Sequence, residues 1–392
     1  MSFKSILDND FYKFTMQYAV VKMYPDTQAK YEFINRGQHP FPDGFAQALR
    51  QRIGQMSELG LTPEEKSYLK ITCPYLNAAY LDFLQGYRYD PSEVEISQNG
   101  SELSVKIQGY WYRTILWEVP VLSLISELYY ELTGRKRDPD DQVIETLEKK
   151  TASYQELGVK VAEFGTRRRH SYEVHKLIAG ALKESGGNSY VGTSNVHFAM
   201  TTGVKPIGTH AHEWFMYHGA RFGFKIANGI SLDRWVNAYH GDLGIALTDT
   251  YTTPVFFMQF NKKLAKLFDG VRHDSGDPIE FAQKTIAHYE KMGINPLHKT
   301  IIFSDGLDLN KVKSISEALD GKIGISFGIG TNLTNDVGLK PMNIVLKLIS
   351  IAEPDLPWTN VVKLSDEKGK HTGDPKMIRL AKEILEIHEE SY

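Results

Sequence analysis

Thr300-Ile301-Ile302-Phe303-Ser304-Asp305-Gly306, then a stretch of helical pattern, then Lys322-Ile323-Gly324-Ile325-Ser326-Phe327-Gly328-Ile329-Gly330-Thr331 set the fold class. Each run is apolar or β-branched and ends in small and polar residues, as a buried strand does where it enters a turn. The same rhythm recurs at Val159 to Gly165, Ser189 to Ser194, Lys205 to His210, Ile245 to Asp249, Gly270 to Asp274 and Asn343 to Leu348, with helical pattern between them. Strand, loop and helix in alternation mark βα units and a parallel sheet. Eight such runs favour an α/β fold closed as a parallel (β/α) barrel over an open doubly wound sheet. No Gly-x-Gly-x-x-Gly follows the first of them, which weighs against a dinucleotide-binding fold.

Upstream the texture differs. A helical pattern covers Tyr12 to Met23, strand-like alternation covers Glu93 to Ile107, and a charged helix-turn signal lies at Leu61 to Tyr68, so residues 1–130 read as an α+β domain. Arg135 to Asp141 form a charged connector, and Gln142 to Leu157 read as a polar-faced helix leading into a barrel over residues 131–349.

With 392 residues, 42% of them hydrophobic, the chain can bury the core of a barrel and an added domain. Its 45 basic and 48 acidic residues nearly cancel, so no bulk field favours nucleic acid or an anionic membrane. Any anionic ligand must therefore be held by local groups. The single cysteine, Cys73, excludes an intramolecular disulfide, and Met1 to Asp10 lack the basic and apolar blocks of a signal peptide, so a reducing, cytoplasmic setting is expected. The apolar run Thr114 to Ser126 is interrupted by Glu118 and Pro120, short of the ~20 residues a membrane span needs.

The strand ends carry the candidate chemistry: Phe164-Gly165-Thr166-Arg167, Gly192-Thr193-Ser194, Gly208-Thr209-His210-Ala211-His212-Glu213, Thr248-Asp249-Thr250, Arg272-His273-Asp274-Ser275-Gly276-Asp277, Ser304-Asp305-Gly306 and Phe327 to Thr331. In a parallel barrel all these ends open on one face. Asp, Ser, Thr and Gly also end strands simply because they cap helices and make turns. So many motifs mixing Arg, His and Asp point instead to a shared site. Gly328 and Gly330 suit a phosphate cradle, because backbone amides can approach an anion without Cβ hindrance. Arg272 to Asp277 combine a cation, two carboxylates and a glycine that could grip a sugar hydroxyl, a phosphate and a magnesium ion. Asp249 could hold water around a metal. Arg167 is the member of its basic run nearest a strand end.

His210 and His212, two apart on an expected strand, would share a face and could begin a hydrolytic metal site, with His273 as a third ligand. The other strand ends offer Asp, Ser and Gly, which suit magnesium and phosphate better than zinc. Alternatively one histidine is a nucleophile that accepts a phosphoryl group.

Taken in order, Leu7-Asp8-Asn9-Asp10-Phe11-Tyr12-Lys13-Phe14-Thr15-Met16, Glu163 to Arg168, Gly208 to Trp214, Leu247 to Asp249, Arg272 to Pro278, Phe303 to Asp305, Ser326 to Thr331 and Val362 to Asp366 resemble the nicotinate phosphoribosyltransferase family over essentially the whole chain. The resemblance implies a type II phosphoribosyltransferase: an irregular parallel (β/α) barrel, an N-terminal α/β domain completed by residues 350–392, and a homodimer with shared active sites. It implies that Tyr12 of one subunit and Phe164 of the other sandwich the pyridine ring. Arg167 and Arg272 would bind phosphate, ribose or the acceptor carboxylate, and Gly328, Gly330 and Thr331 would hold the product phosphate. Thr209, Ser304 and Asp305 would line the substrates, and Asp249 and Asp274 would assist catalysis. His212, aligned through Ala-His-Glu-Trp, would be the histidine that ATP phosphorylates; His210 departs from the family pattern. The implied partners are nicotinate, phosphoribosyl pyrophosphate and ATP, with Mg2+ held near Asp274 and Asp277 through water. Relatives that use nicotinamide carry aspartate where this chain has Ser194, and aspartate there would repel a carboxylate. Nicotinate is the expected acceptor, with a nicotinamide-type enzyme or a barrel hydrolase using His210 and His212 as the alternatives.

Overall fold

The computed structural model describes residues 3–367 and 370–387, in a chain that divides into two compact units. The first comprises Met1–Gly208 and Ile329–Lys347, the second Thr209–Gly328 and Leu348–Tyr392.

In the first unit the helix Phe11–Met23 is buried along most of its length, with Phe11, Phe14, Met16, Ala19 and Val20 in the core. β1 (Gln28–Asn35) alternates inward and outward, placing Ala29, Tyr31 and Phe33 on the buried face, the period-two pattern of a strand wetted on one side. The alternating stretch Glu93 to Ile107 resolves into a hairpin of β2 (Val94–Asn99) and β3 (Glu102–Tyr110), turned at Gly100, whose positive φ of 56° suits a two-residue connection. β3 also pairs antiparallel with β1. The charged signal near Leu61 becomes the helix Pro63–Thr72, opened by a capping box between Thr62 and Glu65. The polar-faced pattern after the connector becomes the helix Asp140–Glu156. β4 (Val161–Glu163) and β5 (Tyr190–Thr193) pair in parallel, separated by the helix Tyr172–Ser185, whose N-terminus is capped by Ser171.

In the second unit β6 (Ile245–Leu247), β7 (Gly270–His273), β8 (Thr300–Phe303) and β9 (Gly324–Ile329) pair in parallel in chain order. The helices Pro278–Lys291 and Leu309–Leu319 follow β7 and β8, capped by Asp277 and Asp308. The strands pack closely: a Cβ on Gly270 would lie 1.9 Å from the Thr300 carbonyl oxygen. β9 ends in the first unit, where the Ile329 carbonyl accepts the Phe164 N–H at 2.8 Å.

Six of the eight expected runs are therefore parallel strands, and the class is α/β with a separate antiparallel sheet. The other two differ. Lys205 to His210 forms only an isolated bridge of Pro206 to Thr193, because proline has no N–H with which to extend a ladder. Asn343 to Leu348 becomes the start of β10 (Ile344–Ala352), which belongs to the antiparallel sheet and pairs antiparallel with β11 (Thr359–Asn360). Among the described residues these pairings do not show a closed barrel. No helix among them is long and apolar enough to cross a membrane.

Candidate active site

Each unit gathers its own set of polar side chains. In the first, the chain enters the helix Phe11–Met23 against the end of β5: the Phe11 N–H donates to the Ser194 carbonyl at 2.7 Å, and the Ser194 hydroxyl donates to Asp10 Oδ1 at 2.8 Å. Gly208 permits a further close approach, since a Cβ there would lie 2.8 Å from the Tyr12 nitrogen. Tyr12 itself is half-buried, with the Lys13 ammonium 5.4 Å from its ring centre. Asp10 is buried, and desolvation raises its pKa despite the opposing pull of Arg167. The Arg167 side chain is 41% exposed and reaches back to Asp10 Oδ2 at 3.8 Å and Glu118 Oε1 at 3.3 Å, while Lys13 takes the other oxygen of Glu118 at 2.6 Å. Arg167 is thus partly exposed, three residues after half-buried Phe164 in the same turn.

Arg169, in the same basic run, is not exposed to solvent. Arg169 is fully buried in a two-pronged ion pair with Asp8, at 2.7 and 2.9 Å, and Asn195 donates to the same carboxylate. The glycine-rich turn after β9 leads into a helix of only four residues, Thr331–Thr334. The Gly330 carbonyl accepts from the Leu333 and Thr334 N–H groups at 2.9 and 3.1 Å. So short a helix offers a phosphate only a small dipole; the close backbone remains.

The second unit centres on His212. It opens the helix His212–Phe222, with Ala211 extended before it, so the two histidines do not share a strand face. Instead His210 is fully buried between Trp235 and Phe215, and its Nε2 accepts the Leu247 N–H at 3.2 Å. Burial, reinforced by Arg272, pushes its pKa down to about 3. His273 packs on Phe281 and Phe303. These surroundings remove both from the metal set proposed for a hydrolase.

His212 Nδ1 lies 3.0 Å from Thr250 Oγ1, and its Nε2 lies 3.0 Å from Asp274 Oδ2, 2.8 Å from Lys363 Nζ and 3.8 Å from Asp249 Oδ1. Burial first, then the Lys363 charge, lower its pKa below the usual value, against the opposing carboxylates. Asp274 also accepts from Arg272 at 2.8 Å and from the Ser304 hydroxyl at 2.7 Å, while Arg272 Nε donates to Ser304 at 2.7 Å. Burial favours the neutral carboxyl, but Arg272 and His212 outweigh it and hold Asp274 well below the ordinary range. Asp249 is likewise desolvated yet lowered, by Lys363 at 3.3 Å and by His212; Ser275 donates to it at 2.7 Å. One ligand atom each from His212, Asp249 and Asp274 lie within 4.8 Å of one another.

Other predicted residues have plainer settings. The Asp277 carboxylate accepts from the Ile279 and Glu280 N–H groups through Oδ1 as a helix cap, and the group of side chains that could hold a cation comprises His212, Asp249 and Asp274. Thr209 donates to the Ile245 carbonyl, Asp305 lies 3.6 Å from Lys370, and Gly328 is buried in β9. Lys363 was not singled out on the sequence, although Val362 to Asp366 carried the resemblance. Its segment is fastened by the Leu364 N–H to the Thr250 carbonyl and by Asp366 to Thr253. Glu163, its neighbour Thr193 and His175 form a further buried group in the first unit.

Comparison with known proteins bears on this arrangement. Residues 159–389 match the nicotinate phosphoribosyltransferase (NAPRTase) family, and residues 7–126 match the N-terminal domain of that family. The chain is 58% identical over 383 residues to a protein of Chromohalobacter salexigens named nicotinate phosphoribosyltransferase, covering 98% of each chain. A protein of the same name from Desulforapulum autotrophicum is 50% identical over 384 residues, covering 98% of this chain and 99% of that one. Among solved structures, the nicotinate phosphoribosyltransferase of Porphyromonas gingivalis superposes with a TM-score of 0.96 at 46% identity, covering 98% of this chain and all of that one.

Proposed function

The chain belongs to the nicotinate phosphoribosyltransferase family, and we propose residue roles for that family's reaction in it. The reaction joins nicotinate to phosphoribosyl pyrophosphate and gives nicotinate mononucleotide and pyrophosphate. The pyridine nitrogen attacks C1 of the ribose, the bond to pyrophosphate breaks, and the leaving group takes the electron pair through an oxocarbenium-like state. The ring nitrogen is already a nucleophile, so no strong base is needed. Phe164 and Tyr12 offer flat faces to the ring. Arg167, partly exposed in the turn after β4, offers a cation to the acceptor carboxylate. The Gly328 to Thr331 turn and Arg272 bind phosphate and ribose.

We assign a coupled ATP reaction to His212. The observation that carries it is a largely buried imidazole, its pKa lowered by burial and by Lys363, set against Asp274, Asp249 and Lys363. A nitrogen lone pair attacks the γ-phosphorus, ADP leaves, and water later removes the phosphoryl group. Lys363 and Arg272 offset the charge that arrives. The hard oxygens of Asp249 and Asp274 fit Mg2+, through water, while Asp277 caps the following helix through Oδ1. The ion would supply charge neutralisation for the phosphates. A cytoplasmic location and a homodimer with shared sites complete the reading.

The hydrolase alternative loses its second imidazole with the burial of His210. The test of the activity is product formation from nicotinate, phosphoribosyl pyrophosphate and magnesium, with and without ATP. Nicotinate mononucleotide is expected, in greater yield with ATP; product from nicotinamide but none from nicotinate would contradict the assignment.

A further inference from the structure

Glu163 ends β4 with 1% of its surface exposed, and both carboxylate oxygens are fully engaged. Oε1 accepts from the Gly165 N–H and from the Thr334 hydroxyl at 2.5 Å; Oε2 accepts from the Thr193 hydroxyl at 2.5 Å and faces His175 Nε2 at 3.0 Å. These four donors fill a carboxylate's acceptor sites. Burial alone would push this group toward the neutral acid; His175 and the hydroxyls reverse that and bring it to about 2. A buried charge is a costly way to fasten a strand end, and apolar packing does that alone.

What the charge joins is specific. Gly165 lies in the turn that carries Phe164 and Arg167. Thr193 also accepts the Asn195 N–H at 3.0 Å and precedes Ser194. Thr334 closes the turn that begins at Gly330. The first and last turns touch: a Cβ on Gly165 would lie 1.8 Å from Thr334 Oγ1 and 2.3 Å from Thr334 Cβ. Neither Glu163 nor Thr334 is offered a place against substrate.

We propose that Glu163 is a positioning residue that sets the acceptor turn of Phe164 to Arg167, the Ser194 strand end and the Gly330 to Thr334 phosphate turn against one another through a single buried carboxylate. This rests on the roles proposed above for those turns. Each arm then governs a different substrate. Thr334→Val removes one hydroxyl and is expected to raise the KM for phosphoribosyl pyrophosphate about tenfold, the worth of one charge-assisted hydrogen bond, with the nicotinate KM near wild type. Thr193→Val is expected to do the reverse, and Glu163→Gln, a near-isostere, to raise both. Thr334→Ser keeps the hydroxyl and is expected to restore the wild-type value.

Steady-state kinetics with each substrate varied, alongside melting temperatures, form the test. The crossed pattern of KM values, with rescue by serine, supports positioning. Variants that melt earlier but keep wild-type KM values, or that lose kcat alone, overturn it. If Glu163→Gln does not fold, the two threonine variants carry the same decision. Thr331→Val serves as the control on the underlying reading: if it leaves the KM for phosphoribosyl pyrophosphate unchanged, the phosphate-turn assignment has failed, whereas a raised KM there without the crossed pattern means the Glu163 inference has failed.

Discussion

The proton affinity of His212 is where chemistry and environment meet. A histidine of ordinary pKa near 6.5 would be half protonated at that pH, and the protonated half could not accept a phosphoryl group. Because burial and Lys363 lower the value, the neutral form persists into more acidic solution. The acid limb of ATP hydrolysis is therefore expected to lie below the ordinary imidazole value. Lys363→Met removes the charge 2.8 Å from Nε2, so the acid limb of the pH–rate profile should move upward. A limb that stays in place would dissociate Lys363 from His212. Ser194 gives a second expectation. Its hydroxyl donates to Asp10, so aspartate at this position would set a second carboxylate against a buried first one beside Arg167. Ser194→Asp is expected to raise the nicotinate KM at least about tenfold through like-charge repulsion and competition for Arg167; unchanged nicotinate kinetics would remove Ser194 from acceptor selection.

Short segments explain why some of these residues were legible and others were not. Phe164, Arg167, Asp249, Arg272 and Asp274 announce themselves because each lies in or just after a short apolar or β-branched run, and the run does become a strand. His210 misleads for a local reason: Ala211 is the extended residue before a helix, so the spacing of two that would align side chains on a strand separates them here. Asp277 takes the ordinary role of a strand-end aspartate, capping the next helix. Lys363 reaches His212 from 151 residues away, a pairing that no local pattern encodes. The segment bearing it also holds Asp366, whose carboxyl burial pushes up to about 6, against hydrogen bonds from Thr253. A raised carboxyl favours the fold while protonated: its contribution is complete below about pH 3.9 and is lost as pH rises through about 6. Asp366→Asn should therefore gain stability relative to wild type between pH 4.5 and 8, by at most about 3 kcal/mol. Denaturant titrations at the two pH values check this; an equal gap at both would mean that Asp366 is not strained by burial.

For the whole chain, the alternation of strand and helix foretold the parallel strands, and the ordered motifs foretold the family, since strand-end residues keep their order whatever the loops do. Closure into a barrel did not follow from counting runs, because one run contains Pro206 and another joins the antiparallel sheet. The proposed homodimer with shared sites makes a definite expectation. If Tyr12 of one subunit and Phe164 of the other serve one ring, Tyr12→Ala and Phe164→Ala proteins, each inactive alone, should regain activity when their subunits are mixed, up to about a quarter of wild type for random pairing. No recovery after verified exchange would place both rings in sites built by one chain.

The proposed mechanism depends most on His212 as the phosphoryl acceptor. Incubation with ATP labelled at the γ-phosphate, followed by peptide mapping under alkaline conditions, addresses this directly. An acid-labile phosphoryl group on His212, absent from His212→Asn and retained by His210→Gln, is the predicted result; ATP hydrolysis with the label on His210, or with none on His212, would contradict it.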